Sequence, residues 1–118
     1  MHIAFFTNFY HPIVNGVVRS VASFREVLLM QGHNVFVFAQ SDGSYQDHEP
    51  FIFRYPTLPL PLPGDISAAI PVSPFVDQLL PMLKLDVIHT HHPVLLGQTA
   101  ARKSAGLDLP LVFTFHTQ

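Results

Sequence analysis

The sequence contains no cysteine and few charged side chains. Among its 118 residues there is no Cys, and Asp, Glu, Lys and Arg together account for only 12%. Without cysteine, disulfide bonds and thiolate metal sites are excluded. No run of eighteen apolar residues occurs, which excludes a membrane-spanning helix. The formal net charge is −2 and the six basic residues are scattered, so the sequence lacks the cluster of basic residues that is typical of a nucleic-acid-binding protein.

Apolar residues and histidine are what the sequence does have. Apolar residues make up 48% of the chain, which is enough for the core of one small domain, and there are eight histidines. The N-terminal stretch MHIAFFTNFYHP has no basic segment ahead of its apolar residues, unlike a signal peptide. We therefore expect a cytoplasmic protein.

Short apolar runs mark five buried strands. They lie at residues 3–7, 35–39, 51–55, 87–91 and 109–115. Between the first two runs, Val17, Val21, Phe24 and Leu28 recur at helical spacing, and Gly32 is expected to end that helix. The alternation predicts an α/β fold, namely a Rossmann-like parallel sheet with helices on both faces and strand order 3-2-1-4-5.

Two further helices are predicted in the second half of the chain. Ser73 and Pro74 form an N-cap followed by proline at the first helical position, in a helix that reaches residue 83 and that Pro81 frays or kinks. The last helix covers residues 95–105 and is expected to close at Gly106.

Proline dominates the segment PTLPLPLPGD, residues 56–65. Its prolines exclude a helix and a central strand, so it is predicted to be an extended surface loop. Leu58, Leu60 and Leu62 in this loop either insert into a membrane interface or simply pack on the domain.

The chain stops at Gln118, directly after the fifth predicted strand. Because a parallel sheet is covered on both faces, we expect residues 1–118 to be an incomplete domain from the front of a longer protein. An uncovered apolar face on that strand also predicts self-association of the fragment.

Histidines cluster where predicted strands end. The stretch DVIHTHHP closes the fourth strand, and TFHTQ places His116 at the end of the fifth. Ligands of open α/β sheets bind at the carboxyl ends of the strands, so these histidines and the loop at residues 8–16 are expected to meet on one edge. There, the turn at Asn15 and Gly16 feeds a helix N-terminus suited to a phosphate, or is a plain turn.

Each of the clustered histidines also has a structural interpretation. His89 could satisfy a core hydrogen bond, and His92 could be merely solvent-exposed. The run HTHH suggests zinc, but only His89 and His91 share a face and no carboxylate or cysteine completes a tetrahedron, so no metal is expected. The motifs GxGxxG, GxSxG and the Walker loop are also missing, which disfavours dinucleotide binding of the dehydrogenase kind.

Two long segments resemble glycosyltransferase family 4, of the GT-B type. The first matches a strand, a P-x-x-x-G-V loop and a helix closing in G-H-x-V, at Pro12, Gly16, Val17, Gly32, His33 and Val35. The second matches D-x-I-H-x-H and P-x-V-x-T-x-H, at Asp86, Ile88, His89, His91, Pro110, Val112, Thr114 and His116. Many members have two glycines in the first loop, where this chain has Asn15 and Gly16. The forms PIVNGV, FRYPTLPLPLP and TFHTQ resemble the branch that glucosylates diacylglycerol.

The resemblance implies a two-domain retaining enzyme that moves a sugar from a UDP- or GDP-sugar to an acceptor hydroxyl. The N-terminal domain would hold the acceptor, and a C-terminal domain, absent here, most of the donor. By position, His116 would be catalytic, Gly16 and Val17 would bind the donor, and Tyr10, Asn15 and His91 would bind the acceptor. No metal or cofactor is implied. The fragment alone would be inactive.

A lipid acceptor would add peripheral contact with the inner face of the membrane. Two other functions compete with sugar transfer. One is a non-catalytic α/β module that binds a small anion or sugar at the strand ends, and the other is a metal-dependent hydrolase that uses HTHH. A second Rossmann-like domain after Gln118 would favour the transferase, and stoichiometric zinc would favour the hydrolase.

Overall fold

The computed structural model describes residues 1–41, 45–59, 67–69, 73–92 and 95–114. These residues form β1 (His2–Phe6), α1 (Gly16–Met30), β2 (Asn34–Gln40), β3 (Ile52–Tyr55), β4 (Thr57–Pro59), β5 (Ser67–Ala69), α2 (Pro74–Leu79), a 3-10 helix (Leu80–Leu83), β6 (Val87–Thr90), α3 (Leu96–Leu107) and β7 (Leu111–Phe113). The predicted catalytic residue His116 and the loop residues Leu60 and Leu62 lie outside this part of the chain.

Five parallel strands form the main sheet, in the order β3-β2-β1-β6-β7. This is the predicted order. The central strand β1 lies between β2 and β6, which are the second and fourth strands of the sheet in chain order. Ala4, Phe5 and Phe6 of β1 are fully buried, because helices cover both faces at this position. A strand that is buried on both faces consists of consecutive apolar residues, which explains why β1 could be predicted from the sequence.

Helices cover both faces of the sheet, as predicted. On one face, Val21 of α1 packs with Phe5, Val35 and Val37. On the other, Val76 of α2 and the α3 residues Leu96 and Ala100 pack with strand residues that include Phe6 and Ile88. The chain therefore has a Rossmann-like α/β fold with two apolar cores, one on each side of a single sheet.

Val17, Val21 and Leu28 pack against the sheet as predicted, and Phe24 is the exception on the predicted buried face of α1. Its fully buried residues are Val18, Val21 and Arg25, whereas Phe24 is 46% exposed. Phe24 lies at the margin of the packed face, where its ring contacts Phe5 and His89.

The ends of the helices follow mostly predictable chemistry. Gly32, at φ 90°, closes α1 in a Schellman arrangement, in which its N–H donates to Leu29 and that of His33 to Leu28. The Oγ of Ser73 accepts from the N–H of Val76 at 3.3 Å, and the 3-10 turn begins where Pro81 interrupts the helix.

The prediction that Gly106 closes the last helix is wrong. Gly106 lies inside α3, and the chain turns instead at Asp108, in the left-handed region at φ 55° and ψ 48°. Aspartate tolerates this conformation better than most residues. The turn is held by the N–H of Leu109, which donates to Ser104 O at 2.9 Å.

The proline-rich segment begins as a short strand. β4 pairs antiparallel with β5 in a two-stranded sheet apart from the main one, which was not predicted. Pro59 is tolerated there because a short strand of this kind needs few backbone donors.

The strand β7 forms the edge of the main sheet beside β6, and all three of its residues are exposed. None of the helices formed by the described residues combines the length and apolarity needed to cross a lipid bilayer.

Candidate functional site

The loops that follow β1 and β6 meet at the carboxyl edge of the sheet. The N–H of Asn8 donates to Nδ1 of His92 at 3.1 Å, and the N–H of His91 donates to Phe6 O at 2.9 Å. The Oδ1 of Asn8 accepts from the N–H of Leu96 at 3.0 Å. Asn8 therefore ties the first loop to the second and also caps the first turn of α3 from a position 88 residues away.

His92 is hydrogen-bonded to the loop that follows β1, so it is not merely solvent-exposed. Its Nδ1 accepts from Asn8 and also lies 3.3 Å from Oγ1 of Thr7, whose hydroxyl donates to Phe9 O. Because Nδ1 acts as an acceptor, the neutral ring carries its proton on Nε2. The hydroxyl of Thr90 donates to His92 O at 3.0 Å and fixes the start of the same loop.

Gly97 lets α3 approach this loop closely. A Cβ atom at this position would lie 1.8 Å from His92 O and 2.7 Å from the carbonyl carbon. Those are backbone atoms and cannot move aside as the end of a flexible side chain could. A side chain at this position is therefore incompatible with the observed path of the edge.

The N-terminus of α1 lies on the same edge. The Oδ1 of Asn15 accepts from the N–H of Val18 at 2.8 Å, so Asn15 is the N-cap of the helix. The N–H groups of Gly16 and Val17 belong to the first turn, where a helix supplies no carbonyl partner. A Cβ at Gly16 would meet no atom within 4 Å, so this end of the helix is open to a ligand.

His89 and His91 form a stacked pair on the sheet face covered by α1. Their ring centroids are 4.3 Å apart, with 19° between the ring planes, and both rings make T-shaped contacts with the ring of Phe5. They are 7% and 3% exposed. The Nε2 of His89 is hydrogen-bonded to Oγ1 of Thr114, which supports the structural interpretation of His89. His91 is placed below the surface of the edge rather than on it.

Tyr10 is also buried, with its ring packed in the core beneath α1. Burial raises the pKa of its phenol, and the carboxylate of Glu49 raises it further, while Arg25 opposes both effects. A cavity of about 220 Å³ lies beside the ring, lined by residues of the first loop, by α1 and by Glu49.

Sequence reasoning missed three polar residues that organise this region, Asn8, Arg25 and Arg54. Arg25 lies four and seven positions along the helix from the buried residues Val21 and Val18, so its spacing alone placed it on the apolar face. The partners of Asn8 and Arg54 carry no local sequence signal. Among the described residues, no group of three or more His, Cys, Asp or Glu side chains could hold a metal ion.

Of the predicted site residues that the structure describes, Tyr10, Asn15, Gly16 and Val17 lie on or next to the connection from β1 to α1, and His91 directly follows β6, the neighbour of β1. Asn15 and the two residues after it lie at the helix end, and Tyr10 and His91 lie beneath the surface. His116 lies outside the described residues, so its predicted place beside this group stays a prediction.

Comparison with known proteins gives a family and three relatives. A model of the family described as Glycosyltransferase Family 4 matches residues 14–118. The chain is 32% identical over 119 residues to the alpha-monoglucosyldiacylglycerol synthase of Streptococcus pneumoniae, covering 100% of the chain and 27% of that protein. It is 31% identical over 121 residues to the protein of the same name from Acholeplasma laidlawii, covering 99% of the chain and 30% of that protein.

The third relative has a different name. It is the GDP-mannose-dependent alpha-mannosyltransferase of Corynebacterium glutamicum, which is 32% identical over 124 residues, covering 99% of the chain and 29% of that protein. The chain therefore spans less than a third of the length of the curated relatives it matches.

Proposed function

Because the chain belongs to glycosyltransferase family 4, we propose that it is the acceptor-side domain of an enzyme that transfers a sugar from a nucleotide-sugar to an acceptor hydroxyl. The observation that carries the proposal is the joined edge, in which Asn8 holds the loops after β1 and β6 together beside the open N-terminus of α1. All three relatives are named as enzymes that make glycosides or transfer mannose. A second domain, following this one, would hold most of the donor.

In this proposal the donor diphosphate lies at the N-terminus of α1. The N–H groups of Gly16 and Val17 would donate to its oxygens, and the positive end of the helix dipole would favour its charge. The missing side chain of Gly16 supports the assignment, because it leaves the backbone open to close approach. The nucleotide would be UDP or GDP.

The acceptor hydroxyl lies beside the loop of residues 9–15. Tyr10, Asn15 and His91 would shape that pocket, with Tyr10 and His91 acting from beneath the loop. His116 would sit beside the transferred sugar, where a neutral imidazole can donate or accept a proton at physiological pH. The sugar would keep its anomeric configuration.

Diacylglycerol is the acceptor that we propose, with the enzyme in the cytoplasm and in peripheral contact with the inner face of the membrane. Two relatives bear names that include glucosyldiacylglycerol, and the sequence forms PIVNGV and TFHTQ support the same branch. The leucines of the proline-rich segment would enter the interface. A vesicle-flotation assay on the full-length enzyme, with Leu58, Leu60 and Leu62 intact or replaced by serine, tests that contact through a loss of the floating fraction.

Sugar transfer by the full-length protein tests the function directly. Radiolabelled UDP-glucose and GDP-mannose are each mixed with vesicles that contain diacylglycerol, and with matched vesicles that lack it. We expect one donor to give a labelled glycolipid in the first vesicles only, with an α-anomeric product by NMR. Labelled product independent of diacylglycerol would reject the lipid acceptor, and no transfer from either donor would reject the proposal.

A further inference from the structure

Arg54 of β3 joins three segments of the chain at one side chain. It donates to His11 O at 2.5 Å, to Gln40 O at 2.9 Å, and to both carboxylate oxygens of Asp47 at 2.6 and 3.1 Å. Its guanidinium carbon also lies over two aromatic rings, 5.9 Å from the centroid of the Tyr10 ring and 5.8 Å from that of Tyr45. The side chain is only 14% exposed, so these bonds form in a site with little water.

A second buried arginine holds the same region from the helix side. Arg25 of α1 is 3% exposed and donates to Glu49 at 2.6 Å and to Pro50 O at 2.9 Å. Its partners belong to the short segment that leads into β3 and that also carries Asp47. Both arginines therefore bond to the segment of residues 47–50, and Tyr10 lies near both of them.

The hydrogen bond from Arg54 to the carbonyl of His11 links this arginine to the proposed acceptor loop. Residues 7–15 connect β1 to α1, and residues 9–15 of this connection form the loop that is assigned to the acceptor. A loop whose backbone carbonyl is bonded to a buried guanidinium is held in one position, because breaking the bond would leave a charged donor unsatisfied.

We propose that Arg54 is a positioning residue that holds the loop of residues 9–15 in the conformation that binds the acceptor. The inference rests on the proposed function, because it assigns that loop to the acceptor. Lysine cannot replace arginine here, since one ammonium cannot reach the carbonyls of His11 and Gln40 and the carboxylate of Asp47 together.

The test compares the full-length enzyme with Arg54→Lys, and uses Arg102→Lys as the matched control. Arg102 is an exposed residue of α3 whose guanidinium donates to Oγ1 of Thr99, away from the loop. The readouts are KM for diacylglycerol in mixed micelles, KM for the nucleotide-sugar, kcat, and hydrogen exchange of the amides in residues 9–15.

We expect Arg54→Lys to raise the acceptor KM about tenfold, with kcat and the donor KM within about twofold of native, because the loss is confined to acceptor binding. The loop amides should exchange faster while those of β2 stay protected. Arg102→Lys should match the native enzyme in every readout. Asp47→Asn, which keeps an oxygen acceptor and leaves the bond to His11 in place, should shift the acceptor KM less than Arg54→Lys.

Three results would overturn the inference. They are an unchanged acceptor KM, an equal rise in both KM values, and unchanged exchange in the loop. The proposed function fails separately, through absence of transfer by the native enzyme. In that case the exchange measurement still decides whether Arg54 holds the loop.

Discussion

The N–H of Asn8 donates to Nδ1 of His92 at 3.1 Å and so joins the loop after the central strand to the loop after its neighbour. The same residue accepts from the N–H of Leu96 through its side chain. One asparagine therefore sets the spacing between two loops and the start of a helix. An edge fixed in this way is ready to bind a ligand without first having to be ordered.

Replacing Asn8 should separate the capping bond from the loop contact. Asn8→Ala removes the acceptor for Leu96 and is expected to lower the free energy of unfolding by about 1 kcal/mol. Asn8→Asp keeps an oxygen in place at a helix N-terminus and should cost less at pH 7. Urea unfolding of both variants measures the difference, and equal losses would show that the cap contributes nothing.

The two glycines of α3 should respond to alanine in opposite ways. Gly97→Ala places a Cβ against the carbonyl of His92, and we expect it to destabilise the protein by roughly 3 kcal/mol. Gly106→Ala meets no atom within 4 Å and should stabilise it by roughly 0.5–1 kcal/mol, through helix propensity. Thermal unfolding measures both. A stable Gly97→Ala variant would contradict the close approach of α3 to the His92 loop.

The hydroxyl of Tyr55 is buried without a hydrogen-bond partner among the described residues. Tyr55→Phe removes an unsatisfied polar group and keeps the ring, so it should stabilise the protein by about 1 kcal/mol. Tyr10→Phe is the matched control, because the Tyr10 hydroxyl is not among the buried polar atoms that lack a partner and its removal should give no such gain. Urea unfolding at pH 7 compares the two variants, and a loss of stability in Tyr55→Phe would reveal a partner for the hydroxyl.

Alkaline pH should weaken the fold through the same two tyrosines. Burial is the main cause that raises the pKa of both phenols above the ordinary value of 10.0. The folded state therefore holds these protons more tightly than the unfolded chain. The stabilisation is complete below a pH of about 10 and is lost as the pH rises through the pKa of the folded state. Unfolding followed by circular dichroism should show this loss, with a smaller loss in Tyr55→Phe, and a flat profile to high pH would contradict it.

Three substitutions of Asn15 separate its contribution to helix capping from the effect of this helix end on binding of the nucleotide-sugar. Asn15→Ser keeps a good N-cap and should retain stability, whereas Asn15→Ala should lose about 1 kcal/mol. Asn15→Asp also keeps the cap but adds a negative charge beside Gly16 and Val17. We expect it to raise the KM for the nucleotide-sugar, most strongly at low salt, because screening weakens the repulsion. A KM equal to that of Asn15→Ser would argue against a diphosphate at this helix end.

The sequence was a good guide to the sheet and a poor one to side-chain partners. Buried parallel strands are continuous apolar runs, so β1, β2 and β6 were visible, and topology then placed the loops on one edge. The turn at Asp108 was missed, because glycine is only one of the residues that accept positive φ. The bonds of Asn8 and Arg54 connect segments distant in sequence, and no local pattern encodes them.

Arg25 shows where the same reasoning could have gone further. Its position on the buried face follows from helical spacing, and a buried arginine requires a partner. Nothing in the local sequence identifies that partner as Glu49, because Glu49 follows β2 and is distant from Arg25 in the chain.

The most direct test of the account is sugar transfer by the full-length enzyme with His116→Ala, compared with the native protein and with the surface variant Lys103→Ala. Lys103 pairs with Asp77 on the surface, away from the joined edge. The account predicts that transfer collapses in His116→Ala while its thermal unfolding and that of Lys103→Ala stay native, and that Lys103→Ala keeps full activity. Full transfer by a folded His116→Ala enzyme would contradict it, because His116 would then be a structural residue at the end of the strand and not a catalytic one.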